Sequence, residues 1–245
     1  MSFSVLGVIP ARLASTRFPK KALIDIQGKT MIRRVYERAQ LANCFDKVIV
    51  ATDSEEIYDE VVRFDGNVVM TSPTHNSGTE RVIEVAEKMP LYSAYVNIQG
   101  DEPLLDVGTV RGVVDLLKQG ASVATACFPF HNADDYSDPN QVKVVMDKNK
   151  RALYFSRSPI PYFRDHFEYG IAYKHIGIYG YSRNTLMQLK SLPSPEIEHA
   201  EKLEQLKFLY NGIPVFLHIA TQDSIGVDTP DDLKKVLLML KEENG

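Results

Sequence analysis

The sequence has few of the residues and patterns that mark several classes of protein. It has no tryptophan and only two cysteines, Cys44 and Cys127, among 245 residues. Two cysteines are too few for a disulfide scaffold and lack the spacing of metal ligands, so we expect reduced thiols in a cytoplasmic protein. The apolar runs are strand-sized, shorter than the ~20 residues that cross a bilayer. The run Ser4–Ile9 ends at Pro10 with no basic segment before it, so we predict neither an export signal nor a membrane span.

An excess of positive charge is also missing. Lys and Arg total 28 against 32 Asp and Glu, which gives a formal net charge of −4. We therefore expect no nucleic acid or membrane partner, and a polyanionic ligand would need a local site. Hydrophobic residues make up 44% and charged residues 24%, which is ordinary globular usage and excludes a disordered or coiled-coil chain. The length predicts one domain over residues 1–245 with an appended lobe.

Strand and helix patterns alternate through the first half of the chain. Short β-branched runs predict strands at Ser4–Ile9, Lys47–Ala51, Asn67–Met70, Tyr95–Ile98 and Val123–Phe128. Helical periodicity predicts helices at Met31–Ala42, Ser54–Phe64, Glu80–Lys88 and Gly108–Gln119, with Ser54 and Thr79 as N-caps. This alternation predicts an α/β fold with a three-layer, mostly parallel sheet. Ligands in such folds bind outside the carboxyl ends of the strands.

The second half begins with antiparallel signals. Apolar runs at Val142–Met146 and Ala152–Phe155 flank a four-residue turn and predict a hairpin, and Ile171–Ser182 is a further extended stretch. We expect residues 129–182 to form a smaller antiparallel lobe. A long helix is predicted over Glu198–Tyr210. Its expected buried stripe is Ala200, Leu203, Leu206 and Tyr210, and a strand at Val215–Ala220 and a helix from Pro230 follow it.

The densest chemical signal follows the first predicted strand. The stretch Pro10–Lys21 carries four cations and two hydroxyls where a strand ends. Arginine makes bidentate contacts to phosphate oxygens and lysine supplies a point charge, so the mixture suits a triphosphate. The spacing matches neither Gly-x-x-x-x-Gly-Lys-Ser/Thr nor Gly-x-Gly-x-x-Gly. Charge alone fits a solvated loop equally well, but the position at the sheet edge favours a phosphate site.

Two carboxylates are placed where they could share a hard cation. Asp101 follows a predicted strand, and Asp228 follows another extended segment. Mg²⁺ typically takes one or two carboxylates together with phosphate oxygens and water. Spacing alone favours the alternative, in which Asp228 caps the helix from Pro230 and Asp101 begins a turn.

Two further groups of polar residues have ordinary explanations when taken singly. The segment Ser77–Arg81 has the pattern of a loop that enters a helix, with a glycine that permits close backbone approach. In the second half a cationic arginine suits a carboxylate, and His, Glu and Gln suit several hydroxyls. These candidates are Arg157, His175, Glu204 and Gln205.

Taken together, these motifs resemble one family. The pattern Arg-x-x-Ser-x-Arg-x-x-x-Lys over Arg12–Lys21 is similar to that of the sugar-activating cytidylyltransferases, and most closely to the CMP-Kdo synthetases. The likeness spans essentially the whole chain. Further segments that resemble the family lie at residues 76–81, 97–103, 152–157, 175–181, 201–206 and 226–230. The family usually has Gly-Lys-Pro where this chain has Lys20-Lys21-Ala22, so either lysine could contact the triphosphate, and the register favours Lys21.

The resemblance implies a Rossmann-like nucleotidyltransferase fold with a smaller antiparallel lobe for sugar binding and dimerisation. The implied reaction transfers CMP from CTP to the anomeric hydroxyl of 3-deoxy-D-manno-octulosonate (Kdo), giving CMP-Kdo and pyrophosphate for lipopolysaccharide synthesis. The implied catalytic residues are Arg12, Lys21, Asp101 and Asp228, and the resemblance implies that Asp101 and Asp228 hold Mg²⁺. The implied CTP contacts are Ala11, Arg12, Ser15, Arg17, Lys21, Ser77, Gly78, Arg81 and Gln99. The implied Kdo contacts are Arg157, His175, Glu204 and Gln205.

Some alternatives stay open at this point. The acceptor could be 8-amino-Kdo or an acylneuraminate, and a chain of this kind could also be a non-catalytic nucleotide-binding regulator. The presence of both Asp101 and Asp228 weighs against the regulator. We also expect a homodimer formed through the region after residue 128, because aromatic residues are enriched at interfaces. The aromatics in question are Tyr162, Phe163, Phe167 and Tyr169, which could instead cover the sugar pocket or pack on the core.

Overall fold

Strands and helices alternate along the first half of the chain, as predicted. The computed structural model describes residues 3–13, 18–168 and 170–243. The strands are β1 (Val5–Ala11), β2 (Asp25–Ile26), β3 (Lys29–Thr30), β4 (Lys47–Thr52), β5 (Val68–Met70), β6 (Ala94–Asn97), β7 (Val123–Pro129), β8 (Lys143–Met146), β9 (Ala152–Ser156), β10 (Tyr173–Ser182) and β11 (Val215–Ile219). The helices are α1 (Met31–Leu41), α2 (Glu55–Arg63), α3 (Gly78–Lys88), α4 (Val107–Lys118), α5 (Ala133–Ser137), α6 (Arg183–Leu189), α7 (Glu196–Glu201), α8 (Leu206–Tyr210) and α9 (Pro230–Glu243).

The main sheet is mostly parallel and is covered on both faces, which confirms the predicted α/β class. Its strand order is β11-β7-β10-β6-β1-β4-β5, and β10 runs antiparallel to both of its neighbours. Alternate residues of β1 enter different cores because successive side chains of a strand point to opposite faces. Val5 and Ile9 pack with α1 and α4, whereas Leu6 and Val8 pack with α3. The result is three layers around one sheet.

The antiparallel segment is more closely joined to the sheet than the sequence suggested. The hairpin of β8 and β9 forms as predicted. Strand β10 pairs with β8 through Tyr173 and with β6 through Tyr181, while its other side pairs with β7. The expectation that this stretch lies outside the alternating sheet is therefore wrong for the second half of β10. Its buried residues Ile178 and Tyr181 have core on both faces, which requires a central strand.

The predicted helix over 198–210 is broken. It forms as α7 and α8, with Lys202 between them in the left-handed region at φ 52°. The Glu201 carboxylate accepts hydrogen bonds from Ser156 Oγ at 2.7 Å and Arg157 N at 2.9 Å, so tertiary bonds hold the residue where α7 ends. Leu203 and Leu206 are buried as predicted, but the other two residues of the expected stripe, Ala200 and Tyr210, are exposed.

The C-terminal helix begins at its predicted residue, Pro230. Its buried residues Val236 and Leu240 pack against Ile26, Met31 and Val227, so α9 covers the loops that follow β1. This contact fixes the position of the segment just before the helix. Within the ranges that the structure describes, no helix is both long enough and apolar enough to cross a membrane.

Candidate active site

A cleft of about 410 Å³ lies at the carboxyl ends of β1 and β6. These strands are parallel neighbours, with Val8 paired to Asn97, so the loops that follow them leave the same edge of the sheet. The lining residues are Pro10, Ala11, Arg12, Lys21, Ala22, His75, Asn76, Ser77, Gly78, Arg81, Asn97, Gln99, Gly100, Asp101, Glu204 and Asp228. The cleft thus brings together most of the predicted nucleotide and metal residues. Ser15 and Arg17, which were also predicted, lie outside the described residues.

One wall of the cleft is the N-terminus of α3. Ser77 caps this helix, and its hydroxyl accepts a hydrogen bond from Glu80 N at 3.3 Å, so the prediction of Thr79 as the cap is wrong. Gly78 lies so close to Asn97 that an added Cβ would be 3.2 Å from Asn97 Nδ2. The glycine therefore lets the helix start against the end of β6. Backbone N–H groups of a first helical turn lack helical partners and favour polar or anionic ligands.

Arg81 is buried in the same wall. Its Nη2 donates to Asp53 Oδ2 at 3.0 Å, and its Nη1 donates to the Thr71 hydroxyl. These bonds join α3 to the ends of β4 and β5. The predicted residue therefore reaches the cleft, but its guanidinium is engaged in holding the surrounding loops together.

The floor of the cleft is a cluster of one cation and two carboxylates. Lys21 Nζ lies 2.6 Å from Asp101 Oδ2 and 2.9 Å from Asp228 Oδ1. A backbone bond from Val227 N to Asp101 O, 2.9 Å long, holds the two acidic loops together. Burial acts to lower the pKa of Lys21, but attraction to Asp101 and Asp228 outweighs it and raises the pKa. The ammonium is therefore charged at neutral pH.

The neighbouring lysine points elsewhere. Lys20 Nζ pairs with Glu56 Oε2 at 2.7 Å on the protein surface. Only Lys21 of the two lines the cleft. The geometry thus favours the register in which Lys21 is the residue near a triphosphate.

The acid pair has the donor set of a hard divalent cation. Asp101 and Asp228 already direct oxygen atoms at one cation, the Lys21 ammonium, at hydrogen-bonding distance. In the described part of the chain, no group of three or more His, Cys, Asp or Glu residues is arranged to hold a metal. A pair of carboxylates would leave coordination positions for phosphate oxygens and water, which is the usual environment of Mg²⁺.

A buried carboxyl group, Glu102, lies next to the acid pair and was not singled out by the sequence analysis. It accepts a hydrogen bond from the Ser224 hydroxyl. Burial raises its pKa to about 7. The bond ties the loop of Asp101 to the segment that leads to Asp228. Its position directly after Asp101 was the one sequence signal that could have identified it.

The predicted sugar-acid residues are less closely gathered. Glu204 lines the cleft, and desolvation raises its pKa. Arg157, His175 and Gln205 are not among the described residues that line it. The guanidinium of Arg157 donates from Nε to Glu201 O at 2.7 Å and from Nη1 to Pro139 O at 3.1 Å.

His175 lies on β10, at the border between the sheet and the hairpin. Burial lowers its pKa to about 3, so the imidazole is neutral. The Thr125 hydroxyl donates to Ile178 O at 2.7 Å, so His175 Nε2, 3.1 Å from the same hydroxyl, is the donor to it. This arrangement leaves Nδ1 as an acceptor.

Gln99 connects the cleft with this part of β10. Its Nε2 donates to Gly177 O at 2.7 Å, beside an irregularity in the pairing of β10 with β7 between Ile176 and Tyr179. The strand that carries His175 is therefore in direct contact with a residue of the cleft. A ligand that extends from the cleft past Gln99 would meet the antiparallel lobe.

A mostly parallel sheet with cations, two carboxylates and a helix N-terminus at its carboxyl edge has the features of a site for a polyphosphate ligand and a divalent cation. The comparisons with known proteins define the class as a nucleotidyltransferase. A family model described as cytidylyltransferase matches residues 6–221. The chain is 46% identical to the 3-deoxy-manno-octulosonate cytidylyltransferase of Leptospira biflexa, covering 99% of both chains, and 45% identical to that of Syntrophobacter fumaroxidans, covering 98% of both. A solved structure of CMP:2-keto-3-deoxy-manno-octonic acid synthetase complexed with CTP matches with a TM-score of 0.93 and 40% identity, over 98% of this chain and 99% of the other. The chain belongs to the cytidylyltransferase family.

Proposed function

We propose that this chain transfers CMP from CTP to the anomeric hydroxyl of Kdo, giving CMP-Kdo and pyrophosphate for lipopolysaccharide synthesis. The observation that carries the proposal is the convergence of Asp101 and Asp228 on one cation, beside the N-terminus of α3. The names of the relatives, at 45–46% identity over nearly the full length, support Kdo as the acceptor.

The cleft divides into a base region and a phosphate region in this proposal. Ser77 and Gly78 offer backbone groups to the cytosine, and Gln99 and Ala11 border the nucleoside. Backbone groups placed for a pyrimidine edge would be left unpaired by a purine, which gives selectivity. Arg81 supports the loops around the base through its bond to Asp53. Arg12 and Lys21, with Ser15 and Arg17, bind the triphosphate.

The acid pair Asp101 and Asp228 would hold Mg²⁺. A bound divalent ion neutralises phosphate charge and lowers the pKa of the hydroxyl that attacks. The reaction needs no protein nucleophile, so the residues act by positioning the acceptor in line with the α-phosphorus. Arg12 and Lys21 stabilise the negative charge that develops on the departing pyrophosphate.

The acceptor would lie between the cleft and the antiparallel lobe. We propose that Arg157 binds the sugar carboxylate, while His175, Glu204 and Gln205 contact hydroxyl groups. The neutral imidazole of His175 has Nδ1 available as an acceptor, which suits a hydroxyl and not a carboxylate. The Gln99–Gly177 contact supports a path between the two regions.

Comparison of acceptors tests this function. Pyrophosphate release would be measured with CTP and Mg²⁺ in the presence of Kdo, 8-amino-Kdo or N-acetylneuraminate. We expect the largest kcat/KM with Kdo. A preference for another acid would reassign the acceptor, and CTP binding without release in any mixture would support the non-catalytic regulator.

We also propose that the chain is a single nucleotidyltransferase domain in the cytoplasm. Strand β10 is shared by the sheet and the antiparallel lobe, which supports one domain over residues 1–245. Cys44 and Cys127 are both free thiols, which is typical of a reducing compartment.

A homodimer through the antiparallel lobe is the proposed assembly. Phe163 and Phe167 pack in an internal cluster around Tyr136, so they are poor candidates for contact residues. Leu153 and Tyr162 are better candidates, because they are 61% and 84% exposed. Tyr169 lies outside the described residues.

Light scattering tests this assembly. A mass near that of the 27.6 kDa monomer would reject the dimer. If the protein is dimeric, Leu153→Asp and Tyr162→Asp should weaken the dimer. Leu91→Asp is the control, because Leu91 is exposed in the loop between α3 and β6, outside the lobe. An unchanged dimer mass in the two folded lobe variants would place the interface elsewhere.

A further inference from the structure

Lys21 occupies the position between two carboxylates that the proposed function gives to a divalent cation. Its Nζ donates to both Asp101 and Asp228, and its side chain is only 16% exposed. One ammonium cannot fully neutralise two carboxylates, but it reduces their mutual repulsion. The two acidic groups therefore have a resident counter-ion that belongs to the chain.

The backbone around Lys21 is fixed, whereas its side chain is long. A short 3₁₀ turn covers Lys21–Leu23, with a bond from Leu23 N to Lys20 O at 2.9 Å. The next residue, Ala22, is buried and packs in the core. A flexible four-carbon stem on a fixed Cα allows the ammonium to change partners while the fold stays the same.

We propose that Lys21 makes metal binding at Asp101 and Asp228 depend on the nucleotide. Without nucleotide the ammonium holds both carboxylates and opposes entry of a divalent cation. The triphosphate attracts the ammonium to its own oxygens and frees the pair for the metal. This inference rests on the proposed function, since it takes Asp101 and Asp228 as the metal ligands and a nucleoside triphosphate as the substrate.

Charge and linkage explain why the two ligands would cooperate. A dication beside an ammonium is repelled, and displacing Lys21 costs two charge-assisted hydrogen bonds. A triphosphate replaces both bonds with contacts to phosphate oxygens, so the displacement then costs little. Linkage requires reciprocity: if CTP raises metal affinity by a given factor, the metal raises CTP affinity by the same factor.

The experiment measures binding and not turnover. Mn²⁺ would be titrated into the metal-free protein and followed by electron paramagnetic resonance, first without nucleotide and then with α,β-methylene-CTP, which cannot release pyrophosphate. The variants are Lys21→Met and Lys21→Gln, and the matched control is Lys20→Met. Lys20 is the adjacent cation and pairs with Glu56 outside the cleft.

For the nucleotide-free protein we expect weak Mn²⁺ binding in the unmodified chain and Lys20→Met. Removal of one neighbouring positive charge should tighten binding ~10-fold in both Lys21 variants. The increase in Mn²⁺ affinity that the nucleotide causes should be smaller in these variants than in the unmodified protein. Equal Mn²⁺ affinity of the nucleotide-free Lys21 variants and the unmodified protein would overturn the inference.

A second variant separates this failure from failure of the proposed function. Asp101→Asn is made alone and in combination with Lys21→Met. It should abolish Mn²⁺ binding in the single variant with nucleotide and in the double variant without nucleotide. If Asp101→Asn leaves Mn²⁺ binding intact, the metal assignment is wrong. If it abolishes binding while Lys21 substitutions change nothing, only the role given to Lys21 is wrong. Two Lys21 variants of different polarity guard against misfolding of either one.

Discussion

The cleft and the antiparallel lobe both contain lysines in contact with oxygen atoms, but they use them differently. In the cleft, Lys21 contacts two carboxylates whose side chains are 28% and 47% exposed. In the lobe, Lys143 is 0% exposed and donates to two backbone carbonyls, Asp138 O at 2.6 Å and Arg157 O at 2.9 Å. The first arrangement can rearrange around a ligand, whereas the second fixes the backbone. We infer that catalysis takes place at the sheet edge and that the lobe fixes the shape of the proposed acceptor site.

The largest expected effect comes from the acid pair. Asp101→Asn and Asp228→Asn should each lower kcat by at least ~10²-fold, because the divalent cation that these carboxylates would hold acts mainly in the transition state. CTP affinity, measured by titration calorimetry, should change far less. Asp223→Asn is the control, since Asp223 lies close to Asp228 in sequence but pairs with Lys174. Near-normal turnover in both variants would show that the cleft is not the catalytic site.

The cations of the cleft come next. Arg12→Ala and Lys21→Ala should each weaken CTP binding by ~1–3 kcal/mol, the range for hydrogen bonds to charged groups. Titration calorimetry in the presence of Mg²⁺ measures the loss. Lys20→Ala should be silent because Lys20 pairs with Glu56. A costly Lys20→Ala together with a silent Lys21→Ala would show that the register is wrong.

In the lobe, the corresponding test is Lys143→Met. It removes a buried donor from Asp138 O and Arg157 O, although Asp138 O keeps its bond from Gln141 N. The free energy of unfolding should fall by ~1–3 kcal/mol. Displacement of Arg157 should raise the KM for Kdo and leave the Kd for CTP unchanged. Lys148→Met in the exposed hairpin turn should change neither. If Lys143→Met weakened CTP binding and left the KM for Kdo alone, the division between cleft and lobe would be contradicted.

The smallest expected net effect is on the pH dependence of stability, because two buried groups contribute in opposite directions. Glu102 has a pKa of about 7 in the folded protein against 4.5 as its ordinary value. The folded state therefore binds more protons between these values, and stability from Glu102 is lost as pH rises from 4.5 to 7. The contribution of His175 to stability changes with pH in the opposite direction. Its pKa is about 3 in the folded protein against 6.5 as its ordinary value, so the stability that it contributes is lost as pH falls from 6.5 to 3.

Denaturant unfolding between pH 4 and 8 measures both slopes. Glu102→Gln should flatten the decline towards pH 7, and His175→Gln should flatten the decline towards pH 4. Because the two contributions oppose each other, the unmodified protein can show little net change. A variant that left its own slope unaltered would contradict the burial that we assign to that group.

The sheet edge could largely be predicted from sequence. In the lobe the hairpin of β8 and β9 could be predicted, but the neighbours of β10 could not. Parallel strands bring their carboxyl ends to one edge, so loops after β1 and β6 had to meet, and Arg12, Lys21 and Asp101 meet there. The partners of Lys21 depend on Asp228, which is 207 residues away in sequence. Such a contact has no local signal.

The errors in the second half have a common cause. The insertion of β10 between β6 and β7, and the break at Lys202, are set by long-range pairing and by the bonds of Glu201. Local periodicity correctly indicated the extended stretch of β10 and the helical residues of α7 and α8. It could not show which neighbours they would have.

The most direct test of the account is a ³¹P NMR time course with the unmodified protein, CTP, Mg²⁺ and Kdo. We expect the α-phosphorus signal of CTP to be replaced by that of a phosphodiester, with pyrophosphate formed in equal amount and only when Kdo is present. Asp101→Asn should leave the CTP signals unchanged. Release of orthophosphate, or pyrophosphate formed without the phosphodiester, would contradict transfer of CMP to the sugar acid.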